Sequence, residues 1–554
     1  MKKRTITALA TLLFFSQGAW AQAPHFVANP DDPTSPKGTE AQPFLIGSIE
    51  DLNNLAADIN DETINEQVKG YGGMYFELTA NLDYRDVSLF DTDEDGTADS
   101  NFWPIGYGDE GNDGLAFKGT FDGAGHTISG ITVNQPQGLG LGIFGYIFYP
   151  AVIKNLTVDN SSFTGNWEVG AIVGASAGSA SGTSIGEGSE QKTFGIYNCS
   201  VTSSVTVKAV TASVYDEVDL VTVDVPGAYV GGICGFCGCM TVSECMSEAK
   251  VTGDESVGGI VGHLAGSASS GIVENCFYLG GISDVSSGKA IVGGRGPIDV
   301  DDYTDGTLKL TLYEDDSNVS PSNHDRLTYY NGVENVDVTI SGRTLWGGEW
   351  NTICLPFEFV LENSDALKTA SLKTLSEDIS FADGTLTLNF SDDLPYITTN
   401  MPFIIKPSDN VTDPVFKGVN IAPQEVVKVE TKYLDFVGNY DPIVLTADDR
   451  SVLYLGASNT LYYPSADVTI NPFRAHFELK GGLTAGDLED GTNPTTQSVR
   501  AFQLNIGGGE AGIFEICNPS NPSNPYFTLD GRKLDGAPTA KGLYINNGKK
   551  ILMK

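Results

Sequence analysis

The sequence predicts an all-β protein whose first half is a repetitive solenoid, and three observations support this class. Glycine is abundant, with 65 residues among 554, which is typical of a chain dense in turns. A short glycine motif recurs through the first half of the chain. After these repeats, alternating runs such as "VDVTIS" and "LTLNFS" are broken by Asn, Asp, Gly and Pro, so antiparallel β-sandwich-like material is expected there.

The recurring motif is a tetrapeptide that ends the stretch "GLGLGIFG". It occurs at Gly142–Gly145, Ala171–Gly174, Gly232–Gly235, Gly259–Gly262 and Ala290–Gly293. A spacing of about 30 residues, doubled once, is typical of repeats that bury their apolar faces against each other. The doubled interval holds polar insertions at 181–191 and 214–226, so it contains either an extra turn or a long loop.

A second motif, of the form Ile-x-Asn-Leu, follows each of the first four tetrapeptides. Its copies stand at Ile153–Leu156, Ile196–Cys199, Val242–Cys245 and Val273–Cys276. Together with "FKGTFDGAGHTISGITV" (Phe117–Val133), these motifs resemble the GLUG repeats of bacterial surface proteins. The resemblance spans roughly Pro43–Gly296. It implies a right-handed parallel β-helix in an adhesin-like protein, within a domain that we expect to cover 43–300.

The same glycines also spell G-x-G-x-x-G, from Gly140 to Gly145, which is the fingerprint of a dinucleotide-binding loop. Such a loop needs a strand before it and a helix after it. The residues that follow, "YIFYPAVIKNLTV", contain Pro150 and several β-branched side chains, which form helices poorly. We therefore interpret the glycines as a solenoid turn and expect no bound nucleotide.

The N-terminus is expected to direct export. Residues 1–21 combine Lys2, Lys3 and Arg4 with a short apolar run and an Ala-x-Ala end, the pattern of a cleavable secretory signal. No later apolar run is long enough to predict a transmembrane segment. Residues 22–42 are expected to be disordered. "GSIEDLNNLAADIN" has apolar residues at helical spacing after Ser48, which predicts an amphipathic helix that caps the solenoid.

The chain after the repeats is expected to contain one or two accessory β domains (301–510), a linker (511–523) and a small β tail (524–554). "RTLWGGEWNTICLPFEF" and "MPFIIKPSDN" resemble an accessory domain of Bacteroidota surface proteins. In the tail, Asp530–Arg532, Lys541–Tyr544 and Gly548–Lys550 resemble the C-terminal sorting domain of type IX secretion. That resemblance implies outer-membrane secretion machinery as a partner. An ordinary hairpin is the alternative.

The stretch "DTDEDGTAD" predicts a calcium loop. Asp91, Asp93, Asp95 and Asp99 supply carboxylates, the backbone carbonyl of Thr97 adds a ligand, and Gly96 permits the turn. Phe102 stands where an EF-hand has its glutamate, so the expected site is a shorter loop that holds a structural calcium ion. A solvated acidic turn is the alternative.

The cysteines near the third tetrapeptide have three interpretations. Cys234, Cys237, Cys239 and Cys245 lie close together and could form a thiolate metal site or a local disulfide. Cys234, however, aligns with apolar residues of the other repeats. The third interpretation, which we favour, is a ladder of buried free thiols that pack as small apolar side chains.

Enzymatic interpretations are less favoured, and no catalytic residue is assigned. Ser176 lies in a G-x-S-x-G sequence, but this follows a solenoid turn rather than forming a nucleophile elbow. His263 aligns with Tyr146 and Phe236, which predicts a packed ring. Glycoside hydrolysis needs two facing carboxylates. The candidates are Asp122, Glu168, Glu244, Asp254, Glu255 and Glu274.

We therefore expect an exported, non-catalytic protein at the cell surface or secreted. Its expected ligand is a glycan or glycoprotein of a host or neighbouring cell. The net charge of −39 disfavours nucleic acid as a partner. The candidate sugar-stacking aromatics are Trp103, Tyr107, Tyr146, Phe148, Tyr149 and Trp167. A polysaccharide-degrading enzyme and a non-binding spacer are the alternatives.

Overall fold

The structure is a computed structural model. It describes residues 23–28, 36–92, 96–107, 115–177, 194–216, 221–266, 271–286, 289–295, 304–424, 428–456, 459–486, 498–499, 501–506, 512–515, 526–528, 533–534, 542–546 and 549–553. The predicted signal segment, 1–21, lies outside these ranges. The predicted all-β class is confirmed, because strands dominate the described residues. Their helices are α1 (Ile49–Asn60), α2 (Glu62–Val68) and α3 (Asn323–Tyr329), with 3-10 turns at Lys69–Tyr71, Ile282–Asp284 and Leu361–Asn363.

The chain divides into two compact units, 1–309 and 310–554, slightly after the expected boundary at 300/301. In the first unit the strands form five parallel sheets, which we call I to V. Every complete repeat passes through them in that order. No helix in the described part of the chain is long and apolar enough to cross a membrane.

The strands of the five sheets are short. Sheet I contains Phe44–Ile46, Tyr75–Leu78, Thr120–Asp122, Val152–Lys154, Gly195–Tyr197, Thr241–Ser243, Ile272–Glu274 and the start of Thr307–Tyr313. Sheet II contains Leu82–Asp83, Thr127–Ser129, Thr157–Asp159, Ser200–Val201, Met246–Ser247 and Phe277–Tyr278. Sheet III contains Thr132–Asn134, Ser162–Gly165, Thr206–Ala209 and Lys250–Thr252. Sheet IV contains Leu139–Leu141, Trp167–Gly170, Ala228–Gly231 and Glu255–Gly258. Sheet V contains Phe144–Phe148, Val173–Ala177, Cys234–Gly238, Val261–Gly266 and Val292–Arg295, with Thr304–Asp305 antiparallel beside it.

In each repeat the tetrapeptide motif leads into the strand that belongs to sheet V. Val173 pairs with Phe144 on one side and with Cys234 on the other, so the doubled sequence interval is a single repeat with insertions and not an extra turn. One insertion forms an antiparallel hairpin, Ala212–Asp216 with Val221–Val225. The insertion at 181–191 lies outside the described residues.

Sheet I sends one column of apolar side chains into the interior. In sheet I the column of Ile153, Ile196, Val242 and Val273 is fully buried. Burying such a side chain stabilises the fold by about 1.5–3 kcal/mol. Because one column recurs in every repeat, each repeat depends on its neighbours for its core.

The asparagine of the second motif turns the chain from sheet I to sheet II. Asn155, Asn198 and Asn275 adopt left-handed φ angles of 55°, 49° and 50°, which asparagine tolerates better than most residues. Asn198 Nδ2 also donates to Asn155 Oδ1 at 2.8 Å, and Asn155 Nδ2 donates to Asp122 Oδ1 at 2.8 Å. The conformational preference and the amide hydrogen bonds both account for asparagine at this corner.

The G-x-G-x-x-G stretch joins two strands. Leu139–Leu141 precedes the turn and Phe144–Phe148 follows it, so a strand stands where a dinucleotide-binding loop has its helix. Gly140 has a φ of 64°, and the equivalent Glu168 has 60°. At Gly142 a Cβ would lie 2.7 Å from the Gly170 carbonyl oxygen, so this glycine is required by close backbone packing.

The predicted N-terminal helix is confirmed as α1. Ser48 is the N-cap of this helix, and its Oγ accepts a hydrogen bond from the Asp51 N–H at 3.2 Å. The buried apolar residues of the helix are Leu52, Leu55, Ala56 and Ile59. The expectation of disorder before it is wrong for His25 and Phe26. The His25 N–H donates to buried Asp58 at 2.9 Å, and the Phe26 ring lies 5.3 Å from that of Phe76.

The second unit consists of small, mainly antiparallel sheets. Its paired strands are Val336–Ser341 with Val415–Val419; Thr344–Leu345 with Val411–Thr412; Asn351–Cys354, Pro402–Lys406 and Ser371–Lys373; Phe359–Val360 with Tyr396–Ile397; Ser380–Ala382, Thr385–Asn389, Ala501–Asn505 and Gly512–Glu515; Val429–Glu430, Leu434–Asn439, Arg474–Leu479, Val452–Gly456 and Thr460–Tyr462; Ile443–Leu445 with Val468–Ile470; and Thr484–Ala485 with Ser498–Val499. The tail forms a separate sheet of Lys533–Leu534, Tyr526–Thr528, Gly542–Asn546 and Lys549–Met553.

One apolar core joins distant parts of the second unit, from Trp350 through Phe436 and Phe477 to Phe502. The expected linker at 511–523 needs correction at its start. Gly512–Glu515 pairs with Ala501–Asn505, so these residues belong to the sheet. Residues 516–523 lie outside the described ranges.

Candidate ligand-binding surface

An irregular segment between sheets II and III of the first repeats is held firmly by Asn101. Its Nδ2 donates to the carbonyls of Tyr84 (3.1 Å) and Gly130 (2.9 Å), and its Oδ1 accepts from the Thr132 N–H at 2.7 Å. The next residue, Phe102, is buried and meets the Tyr84 ring edge-on at 5.5 Å. These contacts fix the backbone from which the following side chain projects.

That side chain is Trp103, which is 48% exposed. Its ring lies 5.9 Å from the Phe90 ring at an interplanar angle of 31°. The backbone beyond it is also held, because Asn60 Nδ2 donates to the Pro104 carbonyl at 2.9 Å. We call the two rings the Phe90–Trp103 platform. An exposed tryptophan beside a partly buried phenylalanine ring, on an immobilised backbone, is suited to bind the apolar face of a ligand.

Trp103 is the exposed member of the six candidate aromatics; the other five are partly buried. Trp167 packs edge-on against Tyr229 at 4.8 Å, and Tyr149 contacts Phe194 at 6.2 Å. Burial raises the pKa of Tyr107 above its usual value. Sequence reasoning missed Phe90. The sequence signal that could have found Phe90 is that it stands directly before the acidic turn, while Trp103 stands just after that turn.

The platform brackets the predicted calcium loop, since Phe90 and Ser100 form an antiparallel bridge. Asp91 Oδ2 accepts from the Gly96 N–H at 2.9 Å, so the turn is closed by a carboxylate. Asp99 accepts from the Asn134 side chain and from Ser100 Oγ. Asp93 and Asp95 lie outside the described residues. Within the described ranges, no group of three or more His, Cys, Asp or Glu side chains is arranged to hold a metal ion.

Four of the six candidate carboxylates of the enzymatic alternative lie in two sheets, whereas Glu244 and Asp254 lie outside the strands. Asp122 and Glu274 belong to sheet I, whereas Glu168 and Glu255 belong to sheet IV. Burial opposes ionisation of Asp122, but hydrogen bonds from Lys154 and Asn155 outweigh it and hold its pKa below the usual value. A general acid needs a raised pKa, so Asp122 is poorly suited to that role.

Two further residues raised by the sequence have structural roles. Ser176 is fully buried within the strand Val173–Ala177, where its Oγ accepts from the Gly238 N–H at 3.0 Å. It therefore does not project as an exposed nucleophile. The His263 ring stacks on Phe236 at 5.9 Å and lies 4.6 Å from Tyr229. The predicted packed ring is confirmed.

The described cysteines are buried and form no disulfide with one another. In the ladder of the second motif, Leu156, Cys199, Cys245 and Cys276 are at most 1% exposed. Cys234 pairs with Val173 and Val261 in sheet V. The structure thus has the buried ladder of thiols that the alignment of repeats predicted.

We expect these thiols to resist alkylation in the folded protein. Burial raises the pKa of Cys234, Cys237 and Cys245, and the neutral thiol is a poor nucleophile. Treatment of the folded protein with iodoacetamide at pH 8 should leave these cysteines unmodified, and treatment after denaturation should alkylate them. Mass spectrometry of the cysteine-containing peptides measures both outcomes. Alkylation before denaturation, or a mass lower by two hydrogens, would contradict this arrangement.

Comparison with known proteins gives one partial similarity. No family model matches the chain, and no solved structure matches it. Halomucin of Haloquadratum walsbyi (strain DSM 16790 / HBSQ001) is 34% identical over 152 residues, which cover 26% of this chain and 2% of halomucin. The chain therefore spans a very small part of the length of this curated relative.

Proposed function

We propose that this protein is an exported, non-catalytic surface protein that binds glycans or glycoproteins through the Phe90–Trp103 platform. The observation that supports the proposal most directly is an exposed tryptophan, tilted against a second ring, whose flanking backbone is fixed by Asn101 and Asn60. Sugar rings present C–H faces that pack against aromatic surfaces, and a fixed platform loses little freedom on binding.

The scaffold that we infer is a right-handed parallel β-helix capped by α1, followed by β-sandwich material and a sorting-type tail. Support for the β-helix comes from the in-register parallel pairing of successive repeats in all five sheets. The handedness follows the strong preference of parallel crossover connections and the resemblance to GLUG repeats. Such scaffolds present ordered surfaces along their length.

We infer that a calcium ion occupies the Asp91–Asp99 turn and stiffens the platform. The closed turn at Asp91 and the bridge between Phe90 and Ser100 support this inference. An ion at this position would offset repulsion between neighbouring carboxylates. Removing it should loosen the segment that carries the platform.

A cell-surface or secreted location is part of the proposal. The secretory signal pattern and the net charge of −39 support it, as does partial similarity to a protein whose name marks it as mucin-like. The outer-membrane secretion machinery remains the expected partner of the tail.

The test uses purified 22–554 on immobilised neutral polysaccharides and mucin glycoproteins, with calcium or with a chelator. Saturable retention without new reducing or unsaturated ends is expected. Trp103→Ala should weaken retention about tenfold without lowering the thermal midpoint, because the side chain is exposed. Chelation should also weaken retention.

Trp346→Ala is the matched control, since this tryptophan of the second unit is 57% exposed. Its retention should equal that of the wild type. Release of fragments with turnover would refute the non-catalytic proposal in favour of an enzyme. Absence of retention on every surface would favour the spacer. Retention unaffected by Trp103→Ala would rule out the platform.

A further inference from the structure

A polar cleft of about 430 Å³ lies where sheets II and III meet. It is lined by Arg85, Ser129, Asp159, Asn160 and Ser204, which lie in or just after four successive strands of sheet II. These residues are distant in sequence, and the stacking of the strands alone brings them together. The volume is sufficient for a sugar ring.

Arg85 supplies hydrogen-bond donors to this cleft. Its Nε lies 2.9 Å from both carboxylate oxygens of Asp83, and its Nη2 contacts Asp83 Oδ2. Its Nη1 forms no hydrogen bond within the described ranges. The Arg85 side chain is 67% exposed. The Asp83 contact thus orients the guanidinium and leaves one edge of it available to a ligand.

Asp159 supplies the opposing acceptor. Thr202 and Ser204 donate to its Oδ1 at 2.6 and 2.7 Å, so both side-chain bonds end on one oxygen and Oδ2 keeps acceptor capacity. Arg85 and Asp159 line the same cleft but do not form an ion pair with each other. A donor and an acceptor are therefore held apart, each by its own neighbours.

We propose that this cleft is a subsite for a neutral sugar, whose adjacent hydroxyl groups bridge the Arg85 guanidinium and the Asp159 carboxylate. One hydroxyl can accept from the guanidinium while its neighbour donates to the carboxylate. Two carboxylates, Asp83 and Asp159, face one cation here, so the local charge repels acidic sugars. The inference rests on the proposed glycan-binding function and adds a second contact and a ligand class to it.

The test measures binding of 22–554 to one immobilised mucin glycoprotein before and after removal of its terminal sialic acids. The wild type should bind the desialylated form several-fold more tightly. Arg85→Ala and Asp159→Asn should each weaken that binding about tenfold or more, because a charge-assisted hydrogen bond is lost. Asp159→Asn should also narrow the preference for the desialylated form, because it removes a repelling charge.

Lys208→Ala is the matched control, since it removes an exposed cation from a neighbouring strand of sheet III. Its binding and its thermal midpoint should equal those of the wild type, and the midpoint of Arg85→Ala should also be unchanged. If Arg85→Ala bound the desialylated glycoprotein as tightly as the wild type does, the subsite alone would be overturned. Tighter binding of the sialylated form by the wild type would have the same consequence. Absence of wild-type binding to every glycan would overturn the proposed function and the subsite together.

Discussion

Gly231→Ala is expected to destabilise the first unit by about 3 kcal/mol, at the upper end of the usual range for overpacking. A Cβ at this position would lie 2.0 Å from the Cys234 carbonyl oxygen and 2.7 Å from the Gly262 nitrogen and the Ile260 carbonyl oxygen. All three obstacles are backbone atoms of sheet V or its turns. Relief would require two repeats to move apart, which would disrupt the buried columns that they share.

Gly72→Ala is the matched control for this substitution. Gly72 has a φ of −53°, and a Cβ there would lie 3.5 Å from the Lys69 carbonyl oxygen, which is an ordinary contact. Thermal unfolding, combined with hydrogen exchange resolved by peptide, should show a lower midpoint and faster exchange in sheets IV and V for Gly231→Ala only. Equal midpoints for the two variants would contradict the tight packing of the repeats.

Glu314→Ala is expected to destabilise the second unit by about 3–5 kcal/mol, because it leaves buried positive charge without a partner. Arg343 is 2% exposed, and its Nη1 donates to Glu314 Oε1 at 3.1 Å. Arg474 donates to the same oxygen. Burial lowers the pKa of each guanidinium to about 10, so both remain charged at neutral pH and depend on one carboxylate.

The control is Asp365→Ala, which removes an ion pair of similar geometry at the surface. Asp365 Oδ2 lies 2.7 Å from Lys417 Nζ, and the two side chains are 77% and 57% exposed. Water already solvates both charges, so the thermal midpoint should hardly change. A large decrease in the thermal midpoint of Asp365→Ala, or no decrease for Glu314→Ala, would show that burial does not determine how much these ion pairs contribute to stability.

The β-pairing of the first unit could be predicted because its motifs repeat. Each tetrapeptide places an apolar residue at one rung of sheet V, and Phe144, Val173, Cys234 and Val261 are paired in the expected alignment. The same alignment predicted the buried thiols and the packed ring of His263. A repeated pattern carries its own register, since equivalent residues stack on one another.

The contacts that the sequence did not reveal join residues of unlike motifs. Arg85 and Asp159 line one cleft because different repeats stack. Glu314 and Arg474 form an ion pair although they are 160 residues apart in the sequence. Neither pair has a sequence pattern, because charged residues at irregular spacing are usually solvated. The calcium loop stays a prediction, since Asp93 and Asp95 lie outside the described residues.

The order of strands in sheet I has a mechanical consequence. Phe44–Ile46 begins the sheet and Ile272–Glu274 lies near the end of its first-unit part, with the repeats between them in chain order. Tension applied between the two ends of this unit therefore pulls along the direction of the inter-strand hydrogen bonds. Repeats would peel from an end one at a time, and the unit would lengthen in steps under load instead of rupturing at once.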